Sequence, residues 1–485
     1  MIRQKKKLIL IAGAAALVLA VLVIVLFATV WRETPETAAE EDFLVAPLDM
    51  EDIAEITVKS RENGYRLYRG EDGQVYFEGA EYVLYNQNMI AYLRSCTAYL
   101  AVSGRVEHPA QMEEYSLTED TCLASFSVTS LAGESYRVLI GEKLVSGEGY
   151  YARLADSEEV AVLGSALERC LFSDVRFFLS GQVAGAISEN DYFDITRFSI
   201  ERDGKEYVTV EKIPEDEVRQ TDLSTHRVSF PARYEPNTDL LVRIFKSFIS
   251  FVGNDVEEFS LADRSAEEFS ALMRKYGFLS SDGAAMRCRV TYTYHDAESE
   301  VYVSAPEEES GKTYVYSPGF DIIASFDSDS LAWTDYDLME YTQKELFAHS
   351  IADVKSVSVK SEHVTETFSL FHGAEAKDLA VSTSRGQAVD AQAFRRFYSQ
   401  ILYIENAGYA DVPEDYRDRQ SLVITVTLSD GAENEFVFYD IATRQSFYEI
   451  GGEGVYYVNR DYVKKVIGDA VKLINGEEVE AVRYA

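Results

Sequence analysis

The sequence predicts an α+β protein: one N-terminal transmembrane helix followed by three tandem, related, mainly antiparallel α+β domains. Three observations lead there. The 23 residues from Leu8 to Val30 carry no charged side chain. A short residue pattern recurs three times at whole-domain distances. Strand signals come in runs with single helices set between them, which is the α+β arrangement.

Taken from the N-terminus, residues 1–7 form a basic stub with Arg3, Lys5, Lys6 and Lys7. Lys and Arg concentrate on the cytoplasmic flank of a spanning helix, so this end is expected inside. A helix needs about 20 apolar residues to cross the hydrocarbon core, and residues 8–30 supply them. A cleaved secretory signal is the rival, but its apolar stretch is typically about 7 to 15 residues. The small residues Ala38 and Ala39 lie well beyond such a stretch. Trp31 and Arg32 suit the membrane interface. Ala12, Ala16 and Ala20 have the spacing of a close helix contact, though apolar helices are commonly rich in alanine. Residues 31–47, acidic and without periodicity, read as a linker. The expected localisation is a cell membrane, single-pass, with the N-terminus cytoplasmic and the bulk of the chain extracytoplasmic.

The 485 residues include 82 Asp and Glu against 46 Lys and Arg. Without the four basic residues of the stub the balance is 42 against 82, a net charge of −40. Such a surface repels nucleic acid and anionic lipid, so no nucleic-acid partner is expected. The charge is spread along the chain, and 47% of residues are hydrophobic, which argues for folded domains over a disordered acidic tail. Cys96, Cys122, Cys170 and Cys288 lack metal-site spacing. They allow three full pairings or a set of buried free thiols.

The recurring pattern is Asp, apolar, two variable residues, apolar, Ser or Thr, apolar, charged. It occurs at Asp52–Lys59, Asp194–Glu201 and Asp353–Lys360. The copies start 142 and 159 residues apart, too far for a solenoid period. Repeat domains are therefore expected at 48–187, 188–347 and 348–485. In each copy the closing apolar residues alternate with polar ones, as Ile56 and Val58 do, which is a half-buried strand. A polar hairpin follows, for example Tyr65–Tyr68 turning through Glu71-Asp-Gly73 into Val75–Phe77.

Amphipathic helices are expected next at 88–101, 238–251 and 391–404. Phe394, Phe397, Ile401 and Ile404 make one apolar stripe in the last of these. Further strands are read at 124–128, 136–140, 150–154 and 160–163 in the first copy. The second copy has them at 286–294, 299–303, 314–317 and from 322. In the third they fall at 422–428, 435–439 and 455–458, before a closing helix from Asp461. Parallel crossovers would need a helix after nearly every strand, so the sheets should be antiparallel.

An N-terminal anchor followed by copies of Asp-Ile-x-x-Ile-x-Val, a helix, a Tyr-Gly-Leu element and Ile-Gly before a Tyr-Tyr strand resembles a bacterial family, domain of unknown function 4340. The residues carrying the likeness are Asp52–Val58, Tyr115-Ser-Leu117, Ile140-Gly141 and Tyr150-Tyr151 in the first copy. Tyr276-Gly-Phe278 and Tyr456-Tyr457 carry it in the second and third. The second copy lacks Ile-Gly, and the third has Tyr416-Arg-Asp418 in place of Tyr-Gly-Leu. The resemblance implies an accessory protein of an ABC-type export system related to gliding motility, with transporter components as partners.

Catalytic motifs are missing. Gly311-Lys312-Thr313 ends like a phosphate loop, but Pro306 stands where that loop needs its first glycine. Neither Gly-x-Ser-x-Gly nor His-Glu-x-x-His occurs, and His108, His226, His295, His349, His363 and His372 have no paired zinc spacing. Asp327-x-Asp329 with Asp335-x-Asp337 is the nearest thing to a calcium loop, yet Ala332 and Leu338 replace its glycine and glutamate. Paired carboxylates for glycoside cleavage are uninformative among 82 acids. Of the adjacent tyrosines 150–151 and 456–457, one ring should face the core and one the solvent.

No catalytic, cofactor or metal residue is therefore assigned. The expected function is a non-enzymatic, membrane-anchored extracytoplasmic scaffold or accessory protein. A module binding envelope glycan or peptide is the alternative, and a glycan hydrolase a more distant one.

Overall fold

A computed structural model describes residues 42–279, 288–375 and 378–481. It contains three antiparallel sheets of 8, 8 and 9 strands. Numbered in chain order within each copy, the strands lie in the order 3-2-1-5-6-7-8-4 in all three sheets, with the two-residue strand Ala388–Val389 added at the edge of the third. The motif strands Ile53–Ser60, Ile195–Arg202 and Val354–Ser361 each pair with strands two and five. A 3-10 turn precedes every one of them, ending at Asp52, Asp194 or Asp353.

Between strands three and four each copy inserts one helix: Gln87–Ala98, Thr238–Ser247 and Ala391–Leu402. Asn237 and Asp390 cap the last two by accepting the backbone N–H of Leu240 and Ala393. These helices bury their apolar face on the motif half of the sheet. Phe245 meets Phe198 edge-on with centroids 6.1 Å apart, and Phe394 and Phe397 both lie 5.6 Å from Phe368. The chain then crosses to the far edge, where strand four (Val102–Arg105, Asp255–Phe259 or Asn406–Tyr409) pairs with strand eight.

The second half of each sheet is covered on its other face as well. Met112–Tyr115, Ala266–Lys275 and Tyr416–Arg419 supply that cover. In each case a tyrosine rests on an aromatic ring of strand seven: Tyr115 on Tyr151 at 5.0 Å, Tyr276 on Tyr314 at 4.9 Å, Tyr416 on Phe447 at 5.4 Å. The residue after the first two tyrosines, Ser116 or Gly277, has φ of 54° or 75°. Gly141 lies beneath this element, where an added Cβ would sit 2.0 Å from the Tyr115 carbonyl oxygen. Only glycine fits so close an approach.

The described residues divide into two compact units, one within 42–79 and 87–175 and the other within 80–86 and 176–481. The first holds one sheet; the second holds the other two.

Two expectations need correction. The fold class is mostly β rather than α+β with a spanning helix, because the strands of each copy all join one sheet and the helices between them are short. The second concerns the single-pass placement. Among the described residues no helix is long and apolar enough to cross a membrane. The helix Arg460–Asn475 has 16 residues and carries Lys464, Lys465, Asp469 and Lys472, where about 20 apolar residues are needed. The segment Leu8–Val30 lies outside the described residues.

Candidate cleft between the second and third sheets

In the second unit, a cleft of about 830 Å³ opens where the second and third repeats meet. Its floor is built from Tyr234, Asn406, Phe436 and Tyr448, all buried. The link between the repeats forms one wall. This stretch bridges to both neighbours, through Pro236 with Thr342 and through Glu345 with Glu405. Gln343 N–H donates to the Glu235 carbonyl at 2.8 Å, and Leu346 N–H to the Ile404 carbonyl at 3.0 Å.

The floor is fully hydrogen-bonded at its polar atoms. Tyr448 donates to Asn406 Oδ1 at 2.7 Å, and Asn406 Nδ2 donates to the Gln343 carbonyl at 3.1 Å. The Tyr234 hydroxyl accepts the Val455 N–H at 2.8 Å. Its ring lies 4.9 Å from Tyr456 and 6.2 Å from Tyr448. Burial pushes the Tyr234 phenol up to about 12 and Tyr448 well above its ordinary value, so both stay protonated at neutral pH.

The rim differs in kind. Asp216, Glu217, Asp222, Glu235 and Glu433 line it together with Arg219, Arg227 and Arg233. Arg227 reaches Glu217 at 3.7 Å. Arg219 and Arg233 make no ion pair among the described residues. Glu235 is open to solvent at the rim yet flanked by protein, and the loss of hydration there raises its carboxyl to about 7. The Asp222 charge adds to the rise and Arg233 opposes it. His349, half-buried in the wall, faces Asn434 Nδ2 at 3.1 Å from Nε2. Burial lowers its basicity against the pull of Asp353, Asp222 and Asp430.

The residues singled out from sequence lie elsewhere, with the exception of His349. Lys312 begins a strand and pairs with Glu257 at 3.0 Å. His226 is buried in the second repeat, its Nε2 2.8 Å from the Ile195 carbonyl oxygen. The Nε2 of His372 is 2.8 Å from the Val354 carbonyl oxygen. Asp337 caps the short helix Leu338–Tyr341 and accepts the Tyr409 hydroxyl. No group of three or more His, Cys, Asp or Glu that could hold a metal occurs among the described residues. Tyr150 and Tyr456 face inward, while Tyr151 and Tyr457 are half-buried.

Nothing in the sequence reading singled out Arg219, Arg233, Glu235 or Tyr448. The only available signal was the charged segment Pro214–Asp222, which breaks the strand pattern of the second repeat. No family model, curated protein or solved structure matches the chain.

Proposed function

We propose that the chain is a non-enzymatic binding and scaffold protein that engages its partner at the cleft joining the second and third repeats. The observation that carries this reading is the contrast of a locked, hydrogen-bonded floor with a solvent-facing rim whose Arg219 and Arg233 make no ion pair among the described residues. Guanidinium groups not committed to a carboxylate are suited to bidentate recognition of carboxylates or carbonyl-rich backbone. Tyrosine and arginine are also the residues that dominate protein interfaces. Catalysis would ask for acid and base groups held in register by supporting hydrogen bonds. The Glu235 side chain makes none among the described residues. The resemblance to the domain of unknown function 4340 family adds a class of partner, the components of an ABC-type export system.

The test is quantitative co-purification from native cells of the intact chain and its Arg219→Ala/Arg233→Ala variant. Export-system proteins recovered with the wild type and depleted at least about tenfold with the variant, which corresponds to about 1.4 kcal/mol, would support the reading. Equal recovery from both, or recovery of wall polymer alone, would refute it.

A second reading rests on Glu235. A carboxyl near 7 beside Asp222 has the titration of a general acid, as in glycoside hydrolysis. It predicts release of reducing sugar from envelope glycan that Glu235→Gln abolishes. The scaffold reading predicts no release from either protein.

A further inference from the structure

The four cysteines allow three full pairings on sequence alone. The fold separates them. Cys288 is buried in strand five of the second sheet, and Cys122 lies in a loop of the first repeat with its Sγ 3.7 Å from the Glu119 carbonyl oxygen. Cys96 and Cys170 are different. Cys96 is near the end of the helix Gln87–Ala98, and Cys170 is in the helix Glu168–Phe172, 74 positions on.

The two helices are brought together by contacts on either side of the thiols. Tyr92, one turn before Cys96, donates its hydroxyl to the Ala166 carbonyl at 2.5 Å, and Cys96 Sγ is 4.0 Å from the same oxygen. The backbone of Cys170 is held in turn by Tyr65, whose buried hydroxyl donates to the Cys170 carbonyl at 2.7 Å. Cys170 follows Ala166 by four residues, about one helical turn, so the approach of Cys96 Sγ to the Ala166 carbonyl sets the two cysteines side by side where the helices meet. The contact is asymmetric. The neighbouring Cys170 favours the thiolate of Cys96, while Cys170, beside Cys96 and buried, holds its own proton more tightly. Cys96 is half-exposed and Cys170 is buried.

We propose that Cys96 and Cys170 are a disulfide-forming pair, with Cys96 the attacking thiol and Cys170 the resolving one, and that the oxidant is a small-molecule disulfide. Cys96 as thiolate attacks one sulfur of the oxidant, forming a mixed disulfide and expelling one thiolate. Cys170 then gives up its proton and attacks the Cys96 sulfur, which forms the Cys96–Cys170 bond and expels the second thiolate. The two thiol protons end on the two released thiols. One disulfide is reduced and one is made, so electrons balance. Cys122 has no cysteine partner in reach. Burial and the Glu119 charge raise its pKa, which slows it as a nucleophile.

The test uses the full chain, pre-reduced, incubated with glutathione disulfide at neutral pH, then alkylated and digested without reductant. A linked peptide pair containing Cys96 and Cys170 is expected, with Cys122 and Cys288 recovered alkylated and two glutathiones released per linkage. In a time course Cys96 should react with limiting iodoacetamide at least tenfold faster than Cys122. The Cys122→Ser/Cys288→Ser variant, which keeps only the proposed pair, should form the same linkage. The proposal is overturned if Cys96 and Cys170 are both recovered alkylated after oxidation, if Cys96 stops at the glutathione adduct, or if Cys96 links to Cys122.

Discussion

The three sheets and the cleft are built on different plans. Each sheet repeats one strand order around one inserted helix, and the contacts that hold it recur from copy to copy: an apolar motif strand, a helix face against it, and a tyrosine set on strand seven. The cleft occurs where two copies join, and of its charged rim residues only Arg227 and Glu433 lie in repeated strands. Stability should therefore reside in the repeated parts and recognition in the unrepeated one, so that substitutions in the two regions have separable effects.

The largest expected effect lies in a sheet. Phe198 is fully buried and touches Phe245, Phe248 and Trp333. Replacing a buried Phe by Ala leaves a cavity that costs about 3–5 kcal/mol, so Phe198→Ala should lower the urea midpoint severely. A loss under about 1 kcal/mol would mean that this core is not packed as described. Next comes a residue shared by both regions. Tyr448→Phe leaves Asn406 Oδ1 without its donor in a buried site, an expected loss of about 1–3 kcal/mol by the same measurement. A smaller effect tests the helix ends: Asn459 accepts the Asp461 N–H at the start of Arg460–Asn475, and Asn459→Ala should cost about 1 kcal/mol.

Two titrating groups separate the regions by sign. Folding lowers the pKa of buried His226 from its ordinary 6.5, so the unfolded chain binds the extra proton and stability falls as pH drops below 6.5. Glu235 is raised from 4.5 to about 7. There the folded chain holds the extra proton between those values, and stability falls as pH rises through them. Melting temperature followed from pH 4 to 8 should show the acid limb removed by His226→Asn and the opposite slope removed by Glu235→Gln. If Glu235→Gln leaves the slope unchanged, its carboxyl is hydrated like any surface acid. The smallest effect is expected for Arg233→Ala, within about 0.5 kcal/mol of wild type in stability.

How far the sequence could be read follows the same division. The helix expected over 391–404 spans Ala391–Leu402, and the strand expected over 422–428 spans Gln420–Leu428, because both carry a clean period of apolar residues. The strand Gln445–Ile450 left no such mark. Its four central residues are all buried, since both faces of that half-sheet are covered, and alternation disappears. Strand four of the third sheet, Asn406–Tyr409, is short and begins with a buried asparagine. Those two strands carry Tyr448 and Asn406, so the polar pair of the cleft floor came from segments where periodicity is silent, whereas Phe436 lies on a strand that was legible. The rim was illegible for another reason: Arg233 and Glu433 are 200 positions apart and are neighbours only after two repeats have folded.

The claim that binding belongs to the cleft is tested most directly by a photo-reactive side chain placed at Leu223 on the rim, compared with one at Phe371 on the strand Thr365–His372. Phe371 is 60% exposed and Leu223 41%, so exposure alone favours Phe371. After irradiation in native cells, adducts to one defined set of proteins at Leu223 and none at Phe371 are predicted. The same adducts at both positions, or at Phe371 alone, would contradict the account.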